Sequence, residues 1–352
     1  MGKAATTDGS VIVAHSDDDV SDERVIYVPT QDYPHGTQRP IYYDNCALGP
    51  FKDKEGKFYN ATEARRYIGE SRGVGYDTHD YYVSKPLGFI PQVPHTYAYF
   101  DSSYGIMNEH QLMIGECTCG AKVHPNPEPG KRIFYSAELS RIALERCKYA
   151  REAVQLIGQL IKDYGYYGTG ETLLIGDAHE AWVMEMCGYK MDGTDGLWVA
   201  QRVPDDGFFV AANQFRIREV KKNSKDMLYS DNLFEECKRL NWWNPTNPLD
   251  WASTVSWGEY SHPYYSLRRV WRALSKVAPS LNLPAWVEGS YTTAYPFAVK
   301  PEGKLSVADV AGIYRDHYEG TEFDMTKGLA AGPFGDPTRY DVSNPDHNTG
   351  SM

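Results

Sequence analysis

The sequence predicts an α+β domain built on antiparallel sheets, and three observations carry that expectation. Short strand-like runs follow one another through turn signals, at 95–100, 111–119, 172–175 and 181–186. Helical periodicity is confined to separate blocks, 136–164 and 265–277, and does not alternate with the strands as a parallel sheet requires. The chain has 352 residues, 41% of them hydrophobic, which is enough to bury a large core.

The elements follow in order. Ser10 to His15 reads as a strand entered from an Asp8-Gly9 turn, and Asp17 to Glu23 as an acidic loop. Residues 28 to 95 are rich in Pro, Gly and Tyr with little periodicity, so they read as long surface excursions with a few short strands. Strand signals resume at His95 to Phe100 and Gln111 to Cys119, flanking the hairpin-like Tyr104 to Glu109. Ser136 to Tyr164 is the clearest helix. Leu139, Ile142, Ala143, Cys147, Ala150, Val154, Ile157, Leu160 and Ile161 recur at three- and four-residue spacing, and Gly165 stops the run. Its length allows a break inside it. Thr172 to Ile175 and Ala181 to Met186 are strands joined by the turn Gly176-Asp177-Ala178-His179, and Gly196 to Gln201 and Phe208 to Ala212 extend the meander. Tyr265 to Val277 is a second helix, and Asp341 to Met352 reads as a frayed polar tail. Residues 1 to 340 are thus expected to form one domain.

Composition excludes several functions. Phe, Trp and Tyr make up 13% of the chain, enough to offset chain entropy, so disorder is excluded. A net charge of -11 argues against a nucleic-acid partner, whose phosphates need a basic surface, and against a basic membrane-docking face. No run approaches the 18 apolar residues of a membrane span. The six cysteines, at 46, 117, 119, 147, 187 and 237, contain no CxxC pair for zinc. Cys117, Cys119, Cys147 and Cys187 read as core residues. GxSxG, Walker, HExxH and GxGxxG motifs are absent. The 17–23 cluster lacks the glycine and closing glutamate of an EF-hand and reads as a solvated turn. Trp242, Trp243, Trp251 and Trp257 could form a sugar-stacking platform, though a core or lid cluster is the commoner meaning of such spacing. No metal or organic cofactor is implied, and the oligomeric state is not legible.

Four segments stand out together: Asp8-Gly9-Ser10 running into His15-Ser16-Asp17-Asp18; Asn108-Glu109-His110 through Glu116-Cys117-Thr118; Ala212-Asn213-Gln214-Phe215-Arg216; and Tyr265-Ser266-Leu267-Arg268-Arg269-Val270-Trp271-Arg272. In this order they resemble the dipeptidase family of N-terminal-nucleophile cysteine hydrolases, kin of bacterial dipeptidase A and the secernins. Leu144-Glu145-Arg146, Glu180-Ala181-Trp182-Val183, Lys327-Gly328-Leu329 and Gly335-Asp336-Pro337-Thr338-Arg339-Tyr340 look like the same family. The resemblance covers nearly the whole chain.

It implies a four-layer αββα sandwich of two antiparallel sheets, and amide hydrolysis of dipeptides or short peptides by a cysteine at residue one of the mature chain. The free α-amine then serves as base for its own thiol. Asp18 matches the aspartate that holds that amine. Asn213 matches the side-chain donor for the oxyanion, Thr118 a second polar group near the nucleophile, and Arg269 an arginine packed beside it. Each has a plainer alternative: a turn carboxylate for Asp18, a strand threonine for Thr118, a helix-surface arginine for Arg269. Where the family usually carries arginine three residues before the aspartate, this chain has His15, which weakens charge assistance at neutral pH. The nucleophile itself is missing: Met1 stands inside the strand that should follow it, and the family continues past Tyr340. The chain as written is therefore expected to be a fragment at both ends and to lack peptidase activity. An N-acyl or bile-salt amidase of the same fold, or a non-catalytic secernin-like scaffold, are the competing expectations.

Overall fold

A computed structural model describes residues 1–16, 25–43, 51–52, 58–59, 86–258, 265–289, 291 and 293–327. Asp18, Cys46, Gly335 to Tyr340 and the 341–352 tail lie outside the described residues. Among the described residues, eight strands form one antiparallel sheet: β1 (Ile26–Val28), β2 (Tyr99–Asp101), β3 (Gly105–Asn108), β4 (Met113–Cys119), β5 (Gly170–Gly176), β6 (Ala181–Cys187), β7 (Leu197–Val203) and β8 (Met227–Tyr229). Their order across the sheet is their order in the chain, so each strand pairs with the next one of the sheet.

Side chains alternate between the two faces, as the two-residue strand period demands. On β6, Trp182, Met184 and Met186 join one core, while Ala181, Val183 and Cys187 join another. The first core lies under helices α1 (Ser136–Arg146) and α2 (Ala150–Tyr164), through Leu139, Ile142, Ala153, Val154, Ile157 and Ile161. The single predicted helix is therefore two. Asp177 explains the break: its Oδ2 accepts the Ala150 amide at 2.8 Å and caps α2, while Cys147 stays extended and buried. The tripeptide 147–149 turns the chain between them.

The second core lies on the far face of the sheet. It receives Phe209 and Ala211, whereas Phe208, Val210 and Ala212 point into a third core with helices α5 (Ser266–Val277) and α6 (Val307–Tyr314). Residues 208–212 thus separate two apolar layers. Shorter helices, α3 (Leu233–Arg239) and α4 (Trp251–Val255), complete the second core.

Two expectations are corrected, and of the two readings of the tryptophans the core one is the better match. Residues 10–16 form no strand ladder. Ile12 exchanges backbone hydrogen bonds with Met1 (2.8 and 3.3 Å), and Val11 enters the second core while Ile12 and Ala14 pack on the third, so the apolar alternation belongs to an extended connector. The 28–95 block is not purely a surface excursion, because Ile41, Tyr42, Tyr43, Leu87 and Ile90 are buried in the first core. The tryptophans form no single platform: Trp251 packs on Phe215 at 5.8 Å in the second core, Trp243 packs on Phe234 at 5.4 Å, and Trp257 is 67% exposed.

Candidate active site

Asn213 leaves the 208–212 layer in the left-handed region, with φ 53°. Asparagine tolerates that region because its short side chain can bond locally. Five contacts hold it. Its backbone amide donates to the Cys117 sulfur at 2.8 Å, and its Nδ2 donates to the Thr118 carbonyl at 2.9 Å. Its Oδ1 accepts from Arg269 Nη2 at 2.7 Å and from the Tyr265 hydroxyl at 3.3 Å. Ser266 Oγ donates to its carbonyl at 3.4 Å. Guanidinium can only donate, so Arg269 must face the amide oxygen, which fixes which way the amide points. One Nδ2 hydrogen goes to Thr118, leaving the other able to meet an anion.

Arg269 is only 1% exposed, so the helix-surface alternative is overturned. The stripe Leu267, Val270, Leu274 and Val277 sets α5 on the third core. Its Nε donates to the Tyr265 carbonyl at 2.9 Å and its guanidinium lies 4.4 Å from the Tyr265 ring centre.

Thr118 meets Asn213 through its carbonyl. Its hydroxyl turns to the other face of β4, lying 3.5 Å from Glu116 Oε2 and 3.4 Å from Glu171 Oε2. Glu171 is opposite Thr118 on β5, and its Oε2 also accepts from Ser136 (2.8 Å), Tyr135 (3.1 Å) and Tyr104 (3.2 Å). Burial, reinforced by the neighbouring Glu116, pushes the Glu171 carboxyl well above the usual carboxylate range. His15 Nδ1 lies 3.9 Å from Glu116 Oε1, so this histidine faces a carboxylate. Asp18 is outside the described residues.

Asn213, Arg269 and Thr118 are therefore brought together from positions 95 and 56 residues apart, while Cys117 and Tyr265 join them unannounced. Tyr265 opens the quoted helix motif, so its signal was present; Cys117 looked like any buried strand cysteine. Burial pushes the thiol of neighbouring Cys119 well up, marking it as inert. Among the described residues, no group of three or more His, Cys, Asp or Glu could hold a metal ion, and no helix is long and apolar enough to cross a membrane.

Comparisons with known proteins bear on what this cluster belongs to. A probable dipeptidase of Latilactobacillus sakei is 26% identical over 286 residues, covering 77% of this chain and 57% of that protein. The dipeptidase of Bifidobacterium longum (strain NCC 2705) is 25% identical over 352 residues, 92% of this chain and 59% of that protein. Probable dipeptidase B of Lactococcus lactis is 31% identical over 197 residues, 53% of this chain and 38% of that protein. The chain spans less than two thirds of the length of these relatives. Residues 98–340 match the family model described as Peptidase family C69, which takes in β2 to β8, Thr118, Asn213 and Arg269. The chain belongs to peptidase family C69.

Proposed function

We propose that this chain is the hydrolase domain, residues 1–340, of a cysteine-type dipeptidase with an N-terminal nucleophile. The observation that carries the reading is the oriented Asn213 amide, fixed between Arg269 and the Thr118 carbonyl in a chain of this peptidase family. The names of the relatives point to dipeptides or short peptides as substrates. The stacking of three apolar cores, with α1 and α2 at one end and α5 and α6 at the other, supports a four-layer αββα arrangement.

In this mechanism the thiolate of a first-residue cysteine attacks the peptide carbonyl, its proton having passed to the cysteine's own α-amine. The carbonyl oxygen becomes an oxyanion and accepts a hydrogen bond from the remaining Nδ2 hydrogen of Asn213. Collapse expels the leaving amine, which receives the proton, and leaves a thioester that water hydrolyses. Arg269 holds the Asn213 oxygen and places positive charge near the thiolate. Thr118 anchors the amide from the other side, and Asp18 orients the α-amine.

None of the six cysteines stands at residue 1, so the natively expressed protein is the one to test. Its mature N-terminus is read by terminal peptide mass spectrometry and its dipeptide hydrolysis measured alongside. The expected result is an N-terminal cysteine and turnover that falls about 10²–10³-fold in Asn213→Ala, the usual cost of one oxyanion donor. Turnover that is indifferent to Asn213→Ala would refute the mechanism. Hydrolysis of N-acyl amides but not dipeptides would move the reading to an amidase, and a mature terminus without cysteine to a non-catalytic scaffold.

A further inference from the structure

We infer that Glu185 is a positioning residue for Asn213, a role that rests on the reading of Asn213 as the oxyanion donor. Glu185 sits in the middle of β6, fully buried, opposite Thr172 on β5 and Val199 on β7. Its side chain leaves the sheet on the face of the second core and ends on backbone. Oε1 accepts the amides of Arg216 (2.6 Å) and Ile217 (3.1 Å), and Oε2 approaches the Ile217 amide at 3.3 Å.

Those amides lie three and four residues after Asn213, in a stretch from 213 to 218 that belongs to no helix or strand. Phe215 and Ile217 are buried in the second core. Backbone donors in such surroundings need an acceptor, and no strand pairs with this stretch to supply one. The carboxyl group takes the place of a missing strand. It also fixes where the chain goes after the left-handed turn at Asn213, and so the direction in which the Asn213 side chain leaves the backbone. The Arg216 guanidinium is occupied elsewhere, donating to the carbonyls of Val210 (3.3 Å) and Pro296 (2.7 Å). The two arms of the turn are thus held independently, one by Glu185 and one by Arg216. Without Glu185 the 213–217 backbone relaxes, and the contacts of Asn213 with Thr118 and Arg269 loosen together.

The experiment compares the native full chain with Glu185→Gln and Glu185→Leu at pH 7, by hydrogen exchange read by mass spectrometry and by dipeptide turnover. Leucine removes the acceptor. Glutamine keeps Oε1, which carries the two shorter bonds. In Glu185→Leu the 213–218 amides are expected to exchange about tenfold faster or more, while peptides from α1 and β4 keep their protection. The kcat falls by a comparable factor with KM nearly unchanged, and Glu185→Gln restores both. A uniform rise in exchange over the whole chain would reduce Glu185 to a general core residue and overturn the inference, as would unchanged protection at 213–218. Should the leucine variant fail to fold, Glu185→Asp, which withdraws the acceptor by one methylene, is expected to give a smaller rise confined to the same peptide; no local rise there overturns the inference. A wild-type protein that cleaves no dipeptide refutes the proposed function, while the exchange data still decide the role of Glu185.

Discussion

Removing Arg39 should cost more than any surface change in this chain. Arg39 lies in the strand Gln38–Ile41, which pairs with Gly88–Pro91, and it reaches from there into α1. Its Nε and Nη2 form a two-pronged contact with Glu145, each at 2.8 Å, and its Nη1 bonds Glu138 at 2.8 Å. Glu138 and Glu145 are seven residues apart and so share one face of α1. Burial disfavours the Arg39 charge, but the Glu145 and Glu138 carboxylates outweigh it and hold the guanidinium above its usual range. Glu138 keeps a second partner in Arg141 at 3.3 Å, which itself bonds Asp101. Arg39→Met preserves most of the packing stem and removes the charge. It strands Glu145 in the protein interior, and breaking a buried pair in this way costs about 3–5 kcal/mol. Part of that loss is the unpaired carboxylate itself, so Arg39→Met with Glu145→Gln should recover at least about 1 kcal/mol. Urea titration followed by tryptophan fluorescence measures both. A single-variant loss below about 1 kcal/mol, or a double variant as unstable as the sum of its parts, would refute the reasoning.

Three further outcomes follow from the same packing. Gly158 inside α2 faces Trp198 so closely that an added Cβ would sit 2.3 Å from Cζ2, and Gly158→Ala should lower stability by about 1–3 kcal/mol in thermal melts despite the better helix propensity of alanine. Asp177→Ala uncaps α2 and frees the amides of His179 and Glu180, so a loss of about 1–2 kcal/mol is expected by denaturant titration, with α2 the first region to lose exchange protection. Burial pushes the Glu185 carboxyl up to about 8. The folded chain therefore holds a proton between pH 4.5 and 8 that the unfolded chain has lost, so this group's contribution is full below about pH 4.5 and falls as pH rises towards 8, by an amount on the order of a few kcal/mol. Glu185→Gln should flatten that part of the profile, and an identical slope in both proteins would exclude Glu185 as its source.

The middle of the sheet was legible because its strands pair in chain order and are buried on both faces. β4, β5, β6 and β7 each overlap the apolar runs expected for them, within two or three residues at the ends. Helix α6 was not read, since only Val310 and Ile313 of its eight residues are buried and its start is a Ser306–Asp309 capping box without a long apolar run. The length of the 136–164 run allowed a break, but its place at 147–149 was not legible, for a different reason. Its cause is Asp177, nearly thirty residues on, and periodicity continues across a break when both halves face the same core. Candidate residues fared according to where their partners lie. Asn213, Arg269 and Thr118 were marked by the resemblance of their motifs to one family, whereas Glu185 sits in a strand where a lone acidic residue gives no hint of the amides it will meet.

Helix α5 shows how far a pattern of residue types underdetermines a site. Its sequence carries arginines at 268, 269 and 272, which read alone as one basic face turned to water. The fold gives the three different tasks. Arg269 lies inward and holds Asn213. Arg268 lies 3.2 Å from the ring centre of Phe323 and 5.2 Å from that of Trp286. Arg272 makes a two-pronged contact with Asp316, at 2.7 Å on each side, and Lys276 joins the same carboxylate at 2.6 Å. Segment 316–323 is thereby fastened along α5 by charge at one end and by aromatic stacking at the other. A helix held at two points over its length cannot slide or roll without breaking one of them, and Arg269 lies between Arg268 and Arg272. The rotation that places the Arg269 guanidinium on the Asn213 oxygen is therefore set by residues some fifty positions later in the chain. This is why the arginine motif alone could suggest a role for Arg269 without distinguishing it from its neighbour.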